Sequence, residues 1–265
     1  MDKQFSCAEC NIPCCIVLFF HRVSVYSEGM IKGILFDVGW TLMKAQTGDW
    51  MLTEKFREYC PRSLQDTVDP AQWRKALIKA SGPLEELHNA GKLVTLEDEE
   101  EAFTDFYFTL LKEAGLPADR EAANIISRDR TYVYEKKYIL ADGIHQVLGT
   151  LKQQGYRLGI LSDTWPSIVP ILEYFDLEPY FDARTYSYVL RTFKPDARMY
   201  RDALDQLGLP GEETVFIDDL AKNLDGAAVL GIHGILACLR TEKPGDSGYP
   251  SITDLRQVPD LVKHM

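Results

Sequence analysis

An α/β protein built on a doubly wound parallel sheet, with a helical segment inserted near its start, is predicted by three features of the sequence. Short apolar runs end abruptly on polar residues: 34–36 before Asp37, 157–161 before Ser162 and Asp163, and 214–217 before Asp218 and Asp219. Such runs read as strands buried on both faces, and each delivers its polar residue to the carboxyl edge of the sheet, where the ligand crevice of open α/β sheets lies. Between them lie amphipathic helical patterns stopped by Gly155, Gly208 and Gly231, and strands alternating with helices imply a parallel sheet. Residues 44–139, by contrast, have helical periodicity and no convincing strand.

Taken in order, residues 1–29 carry no periodic pattern and are expected to be an extension without a fold of its own, ahead of a first strand that opens near Met30. Cys7, Cys10, Cys14 and Cys15 crowd this stretch, without the separation of about 12 or more residues between zinc half-sites. With Cys60 and Cys238 far away in sequence, the six cysteines are not the framework of a disulfide-stapled domain either. The apolar residues 14–20 are too few to span a bilayer, which takes about 20. Glu9 beside them, and the lack of a small-residue cleavage site, make a poor signal peptide, so a cytoplasmic protein is expected. Removing residues 1–29 is expected to leave folding and activity intact.

Residues 53–59, 71–88 and 118–137 look helical. Phe103, Phe106, Tyr107, Leu110, Leu111 and Ala114 repeat at the i, i+3, i+4, i+7 spacing of one helix face. The run Glu97 to Glu101 reads as the solvated, negatively charged first turn of that helix, and Gly115 with Pro117 as its end. Inserted straight after the first strand, such a bundle would sit over the carboxyl edge as a cap. Beyond Asp142-Gly143 the pattern is a helix through Ile144, Val147, Leu148 and Leu151, a strand at 157–161, a helix carrying Ile168, Ile171, Leu172 and Phe175, and a short strand at 183–187. A loop with Lys194-Pro195 follows, then a helix face of Tyr200, Ala203, Leu204 and Leu207, a strand at 214–217, a helix through Leu224, Ala227 and Ala228, and a last strand at 233–237. The expected organisation is an extension (1–29), a core (30–43 and 140–265) and a helical cap (44–139).

At 265 residues, 46% hydrophobic and 26% charged, the chain can bury a substantial core. A net charge of -11 and a pI near 5.0 provide no basic field for a nucleic acid or an anionic membrane. Acidity does not exclude a small phosphorylated ligand held by a local cation.

Four stretches stand at the ends of successive strands or loops: Phe36-Asp37-Val38-Gly39-Trp40-Thr41-Leu42, Leu161-Ser162-Asp163, Lys194-Pro195-Asp196, and Phe216-Ile217-Asp218-Asp219. With Asn223 to Ala228 after the last, their order resembles the haloacid dehalogenase superfamily of phosphohydrolases over residues 30–237, which implies a Rossmann-like core with an inserted cap. The resemblance implies that Asp37 is a nucleophile forming an aspartyl-phosphate. It implies that Ser162 and Lys194 are catalytic groups stabilising phosphoryl charge, and that Val38, Gly39, Ser162, Asp163 and Lys194 hold the phosphate. It further implies Mg²⁺ on Asp37, the backbone carbonyl of Gly39, and Asp218 or Asp219. Independently of the family, three carboxylates gathered at one edge would repel unless a cation sat among them, and Mg²⁺ suits a site of few carboxylates completed by waters and phosphate. The implied substrate is a small phosphorylated metabolite.

The sequence departs from the family pattern at one position. The usual first motif has a second aspartate two residues after the nucleophile, serving as general acid and base, and here that residue is Gly39, followed by Trp40 where glycine is usual. Three readings stand: a phosphatase whose proton transfer falls to a cap residue, the substrate or water; a weakly catalytic phosphate-binding relative; or a true haloacid dehalogenase, which also lacks that aspartate. The Asp218-Asp219 pair, a metal-type motif, argues against the last, because those enzymes work without Mg²⁺. The short separation of Ser162 from Lys194 leaves 44–139 as the only sizeable insertion, and Asp49, Trp50, His88 and Lys92 could reach the site from it.

Overall fold

The computed structural model describes residues 30–239 and 248–265. The expected extension at 1–29, with its four cysteines, lies outside the described residues. Strand β1 (Gly33–Phe36) is buried at every residue, as an apolar run without alternation requires. It is the third strand of a six-stranded parallel sheet ordered β5-β4-β1-β6-β7-β8, with β4 (Arg157–Ser162), β5 (Ala183–Tyr186), β6 (Thr214–Asp218), β7 (His233–Ala237) and β8 (Ser251–Ile252). In register, Phe36 lies between Ile160 and Ile217, so β1, β4 and β6 end side by side. The polar residues that follow or end them therefore converge at the carboxyl edge.

Strand β2 (Met43–Ala45) pairs antiparallel with β3 (Tyr138–Leu140), and between them run α1 (Glu54–Tyr59), α2 (Arg62–Gln65), α3 (Pro70–Asn89), α4 (Leu96–Glu113) and α5 (Arg120–Tyr132). This ribbon corrects two expectations: residues 44–139 do contain strand, and the helix expected over 118–137 stops at Tyr132. The three-residue strands are too short for a period-2 signal, and only the tertiary pairing of Met43 with Leu140 marks them. Helix α3 is started by the Asp69 side chain accepting from the Ala71 and Gln72 N–H groups, with Pro70 at the first position. Its buried face is Ala76, Ala80, Leu84 and His88, four apart, and α4 packs between α3 and α5. The helices bury their own cluster, which includes Phe56, Leu84, Phe103, Phe106, Tyr107, Leu110 and Ile126.

After β3 come α6 (Ile144–Gln153), α7 (Ile168–Tyr174) behind β4, the short α8 (Ser187–Leu190), α9 (Ala197–Leu207), α10 (Ala221–Ala228) and α11 (Val258–Val262). They form separate buried clusters on the two faces of the sheet, one with Ile34 and Phe36, the other with Leu35 and Phe216, as the alternation of side chains along a doubly covered strand demands. Strand β7 is not the last: β8 adds to it at the edge, Leu236 beside Ser251, in a two-residue strand that carries no pattern of its own. No helix among the described residues is long and apolar enough to cross a membrane.

Candidate active site

Asp37 follows β1 and is held by the sheet itself, its N–H donating to the Ile217 carbonyl at 2.9 Å. The chain then turns tightly, the Val38 carbonyl accepting from the N–H groups of Leu42 (2.9 Å) and Met43 (3.1 Å). Within this turn the left-handed residue is Trp40, at φ 60, while Gly39 has no positive φ. Glycine at position 39 is therefore not required by the backbone.

The Lys194 ammonium stands at the centre, 5% exposed, and its three donors are all used: on Asp37 Oδ1 at 2.8 Å, Asp218 Oδ2 at 2.7 Å and the Leu161 carbonyl at 3.1 Å. Asp163 accepts from the Lys194 backbone N–H at 3.0 Å, so its carboxylate positions the lysine loop. Asp218 is fully buried and fully engaged, accepting from the Leu220 N–H and from Asn223 Nδ2 besides Lys194. Asn223 is anchored in turn by Tyr200, whose hydroxyl donates to its carbonyl at 2.8 Å. Asn223 opens the stretch 223–228 that completed the family resemblance, one helical turn after Asp218-Asp219, but the resemblance gave it no role of its own. Ser162, the last residue of β4, is buried at the same edge.

Burial pushes the Asp37 carboxyl up to about 7, the Lys194 charge opposes this, and Asp218 and Asp219 add to it. Burial would lower the Lys194 pKa, but Asp37, Asp218 and Asp163 outweigh it and hold the ammonium above the ordinary lysine range. One ammonium thus faces several carboxylates, and the buried Asn223 Oδ1 has no protein partner. No three metal-ligating side chains converge among the described residues. Hard oxygen donors with surplus negative charge nevertheless fit Mg²⁺, which takes one or two carboxylates and keeps its waters.

Several contacts join the helical insertion to this edge. Trp50, stacked on Tyr138 at 5.5 Å, places its indole edge beside Gly39, and His88 stacks on Phe193, next to Lys194, at 4.0 Å. Phe103 meets Trp165 edge-on, and Glu99 accepts from both the N–H and the hydroxyl of Ser167, each at 2.7 Å. The expectation of a solvated acidic run is corrected here: Glu99 is 0% exposed and paired with Arg130, whose guanidinium lies over the Phe103 ring. Of the other cap residues considered, Asp49 turns Oδ1 back on the Met51 and Leu52 N–H groups, and Lys92 is exposed.

A parallel sheet with an acid after its central strand and a buried lysine bridging two carboxylates agrees with the match of residues 31–231 to the family model of haloacid dehalogenase-like hydrolases, and the chain belongs to that family. It is 30% identical over 134 residues to the GMP/IMP nucleotidase YrfG of Escherichia coli (strain K12), an alignment covering 47% of this chain and only 59% of that protein. The L-2-haloacid dehalogenase of Xanthobacter autotrophicus has the same fold, with a TM-score of 0.63 at 18% identity, covering 89% of this chain and 100% of the other. YfnB of Bacillus subtilis, solved bound to magnesium, matches with a TM-score of 0.59 at 19% identity, covering 88% and 99%. At such identities the likeness is one of fold.

Proposed function

We propose that the protein is a Mg²⁺-dependent phosphohydrolase that removes phosphate from a small metabolite through an aspartyl-phosphate on Asp37. The observation that carries this reading is the Lys194 ammonium bridging Asp37 and Asp218 at 2.8 and 2.7 Å, with a further acid, Asp219, one residue on. Lys194 orients the nucleophile by holding Oδ1 and supplies fixed positive charge where phosphoryl negative charge gathers. The metal would be held by Asp37, the Gly39 carbonyl and an acid of the Asp218-Asp219 pair, of which Asp218 also accepts from Lys194, Asn223 and the Leu220 N–H. Bound there, Mg²⁺ would neutralise phosphate charge and relieve its repulsion from the carboxylates. Ser162 would donate its hydroxyl to a phosphoryl oxygen. The nucleotidase relative supports phosphoryl rather than halide chemistry.

The test is a screen of the full chain with Mg²⁺ against an aryl phosphate and a metabolite panel that includes GMP and IMP. Turnover is expected to vanish with a chelator and return with Mg²⁺, with no halide released from 2-haloacids. The absence of an acid at position 39 is shared with dehalogenases, so the halide arm matters: metal-independent halide release would replace this reading.

A further inference from the structure

From the surroundings of Gly39 we infer that the substrate is a phosphate whose leaving oxygen departs as a stable anion: a phosphate ester of a phenol or enol, or an acyl phosphate. This rests on the phosphohydrolase reading and names its substrate class. A side chain at position 39 would begin 3.8 Å from Asp37 Oδ2, so the position borders the reacting carboxylate. What borders it from the cap is the indole edge of Trp50, with Cζ2 at 3.7 Å and Cε2 at 3.8 Å from that same point. The indole N–H, bonded to Cε2, can donate a hydrogen bond to a departing oxygen but cannot surrender its proton.

Lys194 and Asp49 are committed elsewhere, Asp163 Oδ1 accepts from the Lys194 backbone N–H, and His88, though unpartnered at its nitrogens, is fixed by ring stacking. Lys194 has spent its three donors on Asp37, Asp218 and the Leu161 carbonyl. Asp49 Oδ1 caps its own loop, and the His88 ring lies flat on Phe193, facing the Ser187 and Thr192 backbone without closing a hydrogen bond. In a loose phosphoryl-transfer transition state the bond to the leaving oxygen is largely broken, so the stability of the departing anion decides whether a proton donor is needed. An alkoxide needs one; a phenolate, enolate or carboxylate does not.

In the first step an Asp37 oxygen forms a bond to phosphorus while the P–O bond to the leaving group breaks, its electron pair leaving with that oxygen as an anion. In the second, water adds to phosphorus, the P–O bond to Asp37 breaks, the carboxylate is restored, and both water protons depart with the product as dihydrogen phosphate. The carboxylate that would activate this water is the one missing at position 39. The second step is therefore the slow one for a good leaving group, and the phosphoenzyme accumulates.

The experiment compares 4-nitrophenyl phosphate, phenyl phosphate, acetyl phosphate, glycerol phosphate and GMP with Mg²⁺, for wild type and Gly39→Asp. For wild type, kcat/KM is expected to fall by about 10²- to 10⁴-fold from the nitrophenyl ester to the two alkyl phosphates, the usual worth of a general acid. A burst of nitrophenolate approaching one per protein, with phosphate retained on acid-quenched protein, should precede the steady state. Gly39→Asp should flatten the leaving-group dependence and abolish the burst; the new Cβ meets only ordinary van der Waals contacts. If that variant fails to fold, the wild-type series and the burst decide alone. Equal wild-type rates on aryl and alkyl phosphates without a burst would overturn the inference and leave the phosphohydrolase standing. No turnover and no phosphoenzyme with any phosphate would overturn both.

Discussion

Replacing Asp37 by asparagine is expected to abolish phosphate release, by about 10⁴-fold or more, while leaving the fold unchanged. The amide has nearly the shape of the carboxylate but cannot form the acyl-phosphate, and removal of a covalent nucleophile is among the costliest changes an active site can suffer. The site should tolerate the change structurally, because the amide keeps an oxygen for the Lys194 ammonium while burial, which already raises the Asp37 pKa, penalises the carboxylate more than a neutral amide. Steady-state hydrolysis of an aryl phosphate with Mg²⁺, together with circular dichroism and the melting temperature, checks both halves. An Asp37→Asn protein with wild-type turnover would remove Asp37 from the nucleophile's role.

The largest stability effect is expected at Glu99, far in sequence from any catalytic stretch. Its carboxylate is fully buried, paired with Arg130, and accepts both hydrogen bonds that Ser167 sends from the start of α7. Glu99→Ala leaves a buried guanidinium without its counter-ion and two Ser167 donors without an acceptor, a loss of about 3 to 5 kcal/mol. For a domain of this size, each kcal/mol moves Tm by about 2 to 4 °C, so a fall on the order of 10 °C is expected. Thermal unfolding also separates the pair from its parts: the double replacement Glu99→Met with Arg130→Met should recover much of the loss, because no lone charge remains. A Glu99→Ala protein melting within a degree of wild type would show that the pair does not join cap to core. Because the Ser167 loop follows Ser162, the same variant should also lower turnover by loosening the cap above the site.

The sheet was legible because buried parallel strands are written as short apolar runs, and the residues ending them could be read off directly: Phe36 before Asp37, Leu161 before Ser162, Ile217 before Asp218. Helix α3 was legible for a similar reason, since Asp69-Pro70 starts it and a buried residue recurs every four positions. The β2–β3 ribbon, β8 and the short α2, α8 and α11 were not, being too brief to carry a period. Glu99 was misread because a buried acid and a solvated one are the same letter; its environment comes from Arg130 on another helix and Ser167 in another part of the chain.

Apart from Lys194, which only the family resemblance placed at the site, the sequence by itself determined the α/β class, the delivery of Asp37 and Asp218 to one edge, and the absence of a carboxylate at Gly39. These follow from local patterns and from the order in which a parallel sheet delivers its strand ends. Only the tertiary structure decided that the Lys194 ammonium bridges Asp37 and Asp218, that Asp218 also accepts from Asn223, and that Trp50 borders Gly39 where an acid would stand. Each of these depends on distances between side chains brought together from separate parts of the chain. Such distances are set by the packing of helices against a sheet, and no spacing along the sequence encodes them.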